Sequence, residues 1–268
     1  MKEELNYIEK NKASWNDKTD HHFRSEFYDV DGFLKGKSSL NEIELKLLGD
    51  VSGKTILHLQ CHFGMDSISL GRMGGIVTGV DLSDKAIMKA NELAKQTNIN
   101  ANFTCCDIYD LPAYLDKTFD IVFSSYGTIG WLPDIDKWAA IVSKYLRPGG
   151  KFIFAEFHPV IWMFDEDFEK IRYKYEKSEP IIETITGTYA EKDAPIISET
   201  VSWNHSISEV LNALIKQGLE INVFNEYDHS PYNCFNKTEE FEPGKFRIKH
   251  FENKIPMVYA IVATKKYR

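Results

Sequence analysis

Three positions in the first half of the chain suit a nucleoside ligand: Gly64, Asp81 and Asp107. Such a ligand needs a loop where backbone can approach closely. It also needs a carboxylate that accepts from ribose hydroxyls, and an acceptor for the exocyclic amine of a base. Gly64 closes the run His58-Leu59-Gln60-Cys61-His62-Phe63-Gly64 and opens a helix, where a missing side chain permits close approach. Asp81 ends Val77-Thr78-Gly79-Val80-Asp81 and lies 17 positions past Gly64, near the spacing at which an acidic residue meets a ribose. Ser83 is the better cap for the next helix, which leaves the Asp81 carboxylate for a ligand. Asp107, ending Cys105-Cys106-Asp107-Ile108, could read an amine or simply start a loop. The candidate contacts are therefore Leu59, Gln60, Cys61, His62, Gly64, Asp81, Leu82, Asp107 and Ile108, with Ser125 from a later loop. His58, Cys61 and His62 share one loop and lack a fourth partner at sensible spacing, so no metal site is expected. His58 reads as a satisfied strand-end histidine and His62 as lining the ligand.

A second group of residues suits chemistry at an acceptor. Glu156-Phe157-His158-Pro159 ends a strand, and His158 titrates near neutrality, as a general base must. Glu156 could orient it or bind substrate directly; equally, both residues could cap the strand. Tyr126 sits in Ser124-Ser125-Tyr126-Gly127-Thr128-Ile129-Gly130-Trp131, and Trp15, Tyr28, Trp131, Trp162 and Tyr232 could wall a pocket. Aromatic residues at such positions are also ordinary packing.

These residues must be held by regular elements, and the hydrophobic pattern supplies them. A helix with Leu40, Ile43, Leu47 and Leu48 on one face follows Ser39 and ends at Gly49. Strands are expected at 55–59, 76–80, 102–106, 119–124 and 151–156, with helices around Ile68–Met73, from Asp84 to about Thr97, and from Ile135 to Tyr145. Arg147-Pro148-Gly149-Gly150 is a strong stop. Strands separated by helices imply right-handed parallel crossovers and an open, doubly wound α/β sheet. Ligands then bind at the carboxyl ends of its strands. Residues 157–201 break the rhythm as a β-rich insertion, with strand-like pieces near 181–189 and 196–203. A helix over 206–217, a strand over 220–227, a Pro/Asn-containing loop and a strand over 257–263 finish the chain. Residues 1–50 read as an N-terminal helical cap, and 51–268, insertion included, as one further structural unit.

Taken with Phe119-Asp120-Ile121-Val122-Phe123 and Leu146-Arg147-Pro148-Gly149-Gly150-Lys151-Phe152, this arrangement resembles the class I S-adenosylmethionine-dependent methyltransferases, in particular the small-molecule type. The resemblance runs from about Leu40 to the C-terminus. It implies a Rossmann-like seven-stranded sheet of order 3-2-1-4-5-7-6, the last strand antiparallel, with S-adenosylmethionine as cofactor. The first motif departs from the family's acidic–apolar–Gly–X–Gly–X–Gly. Only Gly64 remains, and His58 replaces the acidic residue. Methyl transfer from a sulfonium needs in-line positioning in a dry pocket more than it needs a catalytic dyad. A silent nucleoside-binding protein on the same fold and a nicotinamide-dependent dehydrogenase are the alternatives. The latter is weakened by the missing Gly-X-Gly-X-X-Gly.

Composition narrows the partners. The net charge is −8 and no strongly basic run occurs, so a nucleic-acid substrate is disfavoured. The polar N-terminus does not read as a signal peptide, and no apolar run reaches the roughly 18 residues of a membrane span. Cys61, Cys105, Cys106 and Cys234 show no metal spacing and fit reduced thiols in a cytoplasmic protein. The expected partner is a small-molecule methyl acceptor, and the insertion could serve as a lid or a homodimer surface.

Overall fold

A computed structural model describes residues 6–176 and 179–267. Met1–Leu5, the start of the polar N-terminus, and residues 177–178, within the expected insertion, fall outside them. The elements are α1 (Tyr7–Arg24), α2 (Val30–Leu34), α3 (Glu42–Leu48), β1 (Thr55–Leu59), α4 (Met65–Arg72), β2 (Ile76–Asp81), α5 (Asp84–Thr97), β3 (Ala101–Cys105) and β4 (Phe119–Ser125). There follow α6 (Ile135–Tyr145), β5 (Leu146–Phe157), β6 (Ile181–Thr186), β7 (Ile197–Ser202), α7 (Ile207–Lys216), β8 (Leu219–Tyr227), β9 (Thr238–Glu242), β10 (Lys245–Ile248) and β11 (Val258–Lys265).

Seven strands form a sheet of order β3-β2-β1-β4-β5-β11-β8. The pairs β1–β2, β2–β3 and β4–β5 are parallel, whereas β11 runs antiparallel to both β5 and β8. Counting only these seven strands, this is the expected order with the last strand inserted antiparallel. The fold is α/β and Rossmann-like. Ser83 caps α5 as its sequence predicts, its hydroxyl accepting from the Ala86 amide. At α3 the cap is Asn41 in a capping box with Glu44, and Ser39 instead pairs its hydroxyl with that of Ser69.

By contacts the chain divides into two compact units. The first comprises Met1–Ser39, Val51–Asp116 and Pro180–Ser202; the second, Leu40–Asp50, Lys117–Glu179 and Trp203–Arg268. The division cuts across a cap at 1–50 beside a single unit at 51–268. Helix α3 belongs with the second unit, and the β6–β7 hairpin of the insertion belongs with the first. The first unit's core joins Phe33, Phe63, Ile68, Ala86 and Leu93. In the second unit Trp138 packs edge-on to Phe152, which stacks on Phe154, with Tyr259 edge-on to Phe154. The Pro/Asn-containing loop also holds the β9–β10 hairpin, turning through Pro243-Gly244, a dipeptide that marks turns.

Within the first unit the β6–β7 hairpin is seated on α1. The buried Asn11 side chain donates to the Val201 carbonyl and accepts from the Val201 amide, and Ser14 and Ser198 share a hydroxyl contact. Asn11→Ala would leave both Val201 backbone groups without partners in a buried place, at a cost of about 2 kcal/mol. Hydrogen exchange should show residues 181–202 losing protection first. Uniform protection across that hairpin in the variant would contradict its seating by Asn11.

Candidate functional site

The loop after β1 is built on alternating left-handed backbone. Gln60, His62 and Gly64 have φ of 54°, 50° and 75°. Two of the three are not glycine, so the conformation needs outside support. The Asp81 carboxylate, at the end of β2, provides part of it. Its Oδ2 accepts from the His62 amide at 2.7 Å and its Oδ1 from the Ser83 amide at 2.8 Å. The residue keeps some exposure, yet its carboxylate is enclosed. Burial pushes the pKa from 3.8 up to about 6, against the pull of the backbone amides of Ser83, His62 and Leu82. Each carboxylate oxygen can accept more than one hydrogen bond, so each retains capacity for a hydroxyl donor.

Asp107 caps the short turn after β3, accepting from the Tyr109 amide at 2.7 Å, and burial raises its pKa. The buried Ile108 follows Asp107, as the half-buried Leu82 follows Asp81. Gly64 meets its own protein rather than an open cradle. A Cβ there would come within 2.7 Å of the Phe103 ring and 3.0 Å of Ala90. Its glycine is required by φ and by packing.

His58 is buried, with Nδ1 2.8 Å from the Ser67 hydroxyl, and burial lowers its pKa to about 3. It is a neutral, partnered histidine, as its position at a strand end suggests. Leu59 and Cys61 are also buried, and burial pushes the Cys61 thiol up. His62 turns its ring toward α1. Its Nε2 lies 3.0 Å from Nδ1 of His22, in a setting walled by Trp15, Tyr28 and Tyr189. Burial lowers His62 to about 3 and His22 to about 2, and the Lys18 ammonium acts in the same sense on both. Lys18 is itself buried and lowered to about 8.

In the second unit Glu156 is 2% exposed and anchors the loop after β4. It accepts from the amides of Gly127, Thr128, Ile129 and Phe157 and from the Thr128 hydroxyl. Both nitrogens of His158 are engaged: Nε2 lies 2.9 Å from Glu226, and Nδ1 accepts from the Val160 amide. Tyr126 has φ of 45° and donates to the buried Glu44 at 2.8 Å, while Tyr232 accepts from Asn41 and stands edge-on to Tyr126. Trp131 donates to the Gly127 carbonyl, and Trp162 packs on Phe157 and Phe235. Ser125 ends β4, half-buried. Among the described residues no three His, Cys, Asp or Glu side chains converge on a metal-sized site.

Residues 56–150 match the family profile described as a methyltransferase domain. Those residues carry a methyltransferase domain. It is similar to a ubiquinone biosynthesis O-methyltransferase of Coxiella burnetii, 28% identical over 181 residues, spanning 65% of this chain and 73% of that protein. An S-adenosylmethionine-dependent methyltransferase of Mesorhizobium loti shares the fold, with TM-score 0.59 and 22% identity over 86% of this chain and 99% of that one. A geranyl diphosphate C-methyltransferase of Streptomyces coelicolor does so with TM-score 0.61 and 16% identity over 98% and 99%. No helix among the described residues is long and apolar enough to cross a membrane.

The sheet and its caps thus bring Asp81, the 60–64 loop, Trp15 and Tyr28 together in the first unit, and Glu156, Tyr126 and Tyr232 in the second. Sequence reasoning passed over His22, Asn16, Tyr189 and Glu44. The signal for His22 was present: Asn11, Trp15 and His22 recur at positions i, i+4 and i+11 of α1, one face of a helix. His21, the neighbour on the other face, instead meets Glu191 at the surface.

Proposed function

We propose that this methyltransferase acts on a small-molecule acceptor and binds its donor at the first unit's strand ends. The observation that carries the reading is Asp81: an enclosed carboxylate whose two oxygens each hold one backbone amide and keep accepting capacity. That acceptor set matches a ribose diol, whose donating hydroxyls would also lower the raised pKa. Asp107 accepts the exocyclic amine of the base, between the apolar Leu82 and Ile108. The loop residues Leu59 to Gly64 face the amino-acid end, where neutral His58 supplies no carboxylate and Gln60 offers an amide.

S-adenosylmethionine, when bound, supplies an electrophilic methyl group on a sulfonium sulfur. The protein's part is to bind, orient and exclude water. Trp15 and Tyr28 give an aromatic wall beside the 60–64 loop, with the β6–β7 hairpin lying against it through Tyr189. Within the second unit, Tyr126 is the candidate for contact with the acceptor, with Tyr232 standing edge-on to it. His158 and Glu156 serve better as braces than as acid or base, because their polar atoms are committed. A small acceptor agrees with the net charge of −8 and with the similar proteins, one named for O-methylation in ubiquinone biosynthesis and one for C-methylation of geranyl diphosphate.

Titration calorimetry with S-adenosylhomocysteine and NAD tests the donor assignment. Asp81→Ala should weaken S-adenosylhomocysteine about 100-fold, as expected for losing two charge-assisted hydrogen bonds. NAD binding without a response to S-adenosylhomocysteine would overturn the reading, and unchanged affinity in the variant would remove Asp81 from the site. A panel of phenols, catechols, thiols and amines with labelled donor then identifies the acceptor class.

A further inference from the structure

Helix α1 reaches the donor-site carboxylate indirectly, at two of the backbone amides that hold it. His22 Nδ1 meets His62 Nε2 at 3.0 Å, and the His62 amide is the donor to Asp81 Oδ2. Six residues earlier on the helix, Asn16 Oδ1 accepts from the Ser83 hydroxyl at 2.6 Å, and the Ser83 amide is the donor to Asp81 Oδ1. Asn16 also donates to Asp84 at 3.0 Å and accepts from the Lys85 amide at 3.4 Å, so it holds the start of α5 at three points. The remaining ring nitrogens, His22 Nε2 and His62 Nδ1, are buried without a hydrogen-bond partner among the described residues. The two imidazoles are therefore held by each other and by the surrounding rings.

We propose that His22 and Asn16 are positioning residues for donor binding, with α1 acting as a clamp that fixes Asp81 through His62 and Ser83. The inference rests on the reading of Asp81 as the ribose ligand. Its physical basis is the backbone at position 62. A non-glycine residue at φ 50° is strained, and the ring of His62 is what α1 holds to keep it there. Without His22 the loop relaxes, the His62 amide leaves Asp81, and the carboxylate loses the orientation a diol requires. Through Asn11 the same helix carries the β6–β7 hairpin, so hairpin, cap and donor carboxylate form one connected set of contacts.

The mechanism can be separated from general packing by a double-mutant cycle on the full chain, read as the calorimetric Kd for S-adenosylhomocysteine. His22→Leu should raise Kd about 10- to 30-fold, the scale of one lost hydrogen bond plus released strain. In a His62→Gly background the same change should shift Kd less than about threefold, because glycine adopts positive φ without help. Asn16→Ala, acting through Ser83, should cost about fivefold in either background. Should His22→Leu melt below the assay temperature, His22→Phe fills the ring volume and replaces it. Unchanged affinity in the His22 variant, or an equal loss in both backgrounds, overturns the clamp. Failure of the wild-type chain to bind S-adenosylhomocysteine is a different result and overturns the assignment of Asp81.

Discussion

Moving from pH 7 to pH 5 is expected to lower the unfolding free energy by on the order of 4 kcal/mol, a large share of the 5–15 kcal/mol that holds a typical domain. The cause is three buried neutral histidines. His58 and His62 are lowered from 6.5 to about 3, and His22 to about 2, chiefly because burial penalises the charged ring. In the unfolded chain all three take up protons as the pH falls through 6.5; in the folded chain none does until far lower. The unfolded state therefore binds more protons throughout this window, and stability drops by about 1.4 kcal/mol per pH unit for each ring. At pH 5 that amounts to about 2 kcal/mol apiece, or about 6 in all.

Asp81 works in the opposite direction. Its folded pKa near 6 lies above the ordinary 3.8, so between those values the folded state binds the extra proton and gains stability as the pH falls. By pH 5 this returns about 1.4 kcal/mol, which leaves a net loss of about 4 to 5. Urea unfolding at pH 7, 6 and 5 measures the balance. His22→Phe, which removes one titrating ring and fills its space, should shrink the net loss by about 2 kcal/mol, nearly half of it. A midpoint that does not move between pH 7 and 5 would mean that these rings are not held neutral.

The three histidines also show where sequence reading reaches its limit. The strands that position Asp81 and Asp107 were legible because β1 and β2 are short apolar runs bounded by turn residues, and their ends follow directly. The order of the sheet came with the resemblance to a family, and hydrophobic periodicity alone would not have supplied it. The direction of a side chain was another matter. His62 lies one residue from the buried Phe63 and two from Gly64, and nothing local says that its ring turns to a helix 40 positions earlier. That contact depends on where α1 docks, a long-range property to which Asn11 and Asn16 contribute through Val201 and Ser83. Gly64 was singled out as a place where backbone could approach a ligand, whereas its φ of 75° and the Phe103 and Ala90 atoms that exclude a side chain there come from the structure. Glu156 and His158 read as a candidate base and a group that could orient it, or as strand caps, because they are titratable and two residues apart at a strand end. On a strand, such residues point to the same face, but each found its own partners on neighbouring elements.

Glu156→Ala should be among the most damaging single substitutions in the second unit, at about 3–5 kcal/mol, the range for opening a buried charged network. Four backbone amides and one hydroxyl converge on that carboxylate, which is 2% exposed. Alanine leaves all of them without an acceptor, and each buried orphan costs about 1–3 kcal/mol before relaxation. Burial raises the carboxyl pKa even though the amides of Thr128, Gly127, Phe157 and Ile129 pull it down. The charge is thus costly in place and tolerated only because the loop is wrapped around it. The same loop sets Tyr126 at φ 45° and receives the Trp131 indole on the Gly127 carbonyl, so its collapse would displace both rings. Glu156→Gln keeps one acceptor oxygen but turns an amide donor toward backbone amides, and about 2 kcal/mol is expected. Thermal melting should fall by about 6–12 °C for alanine, and by less for glutamine. A catalytic base would behave differently: the glutamine variant would keep its melting temperature and lose turnover. Melting temperature lost in step with activity across alanine, glutamine and wild type identifies Glu156 as the brace of the Tyr126 loop.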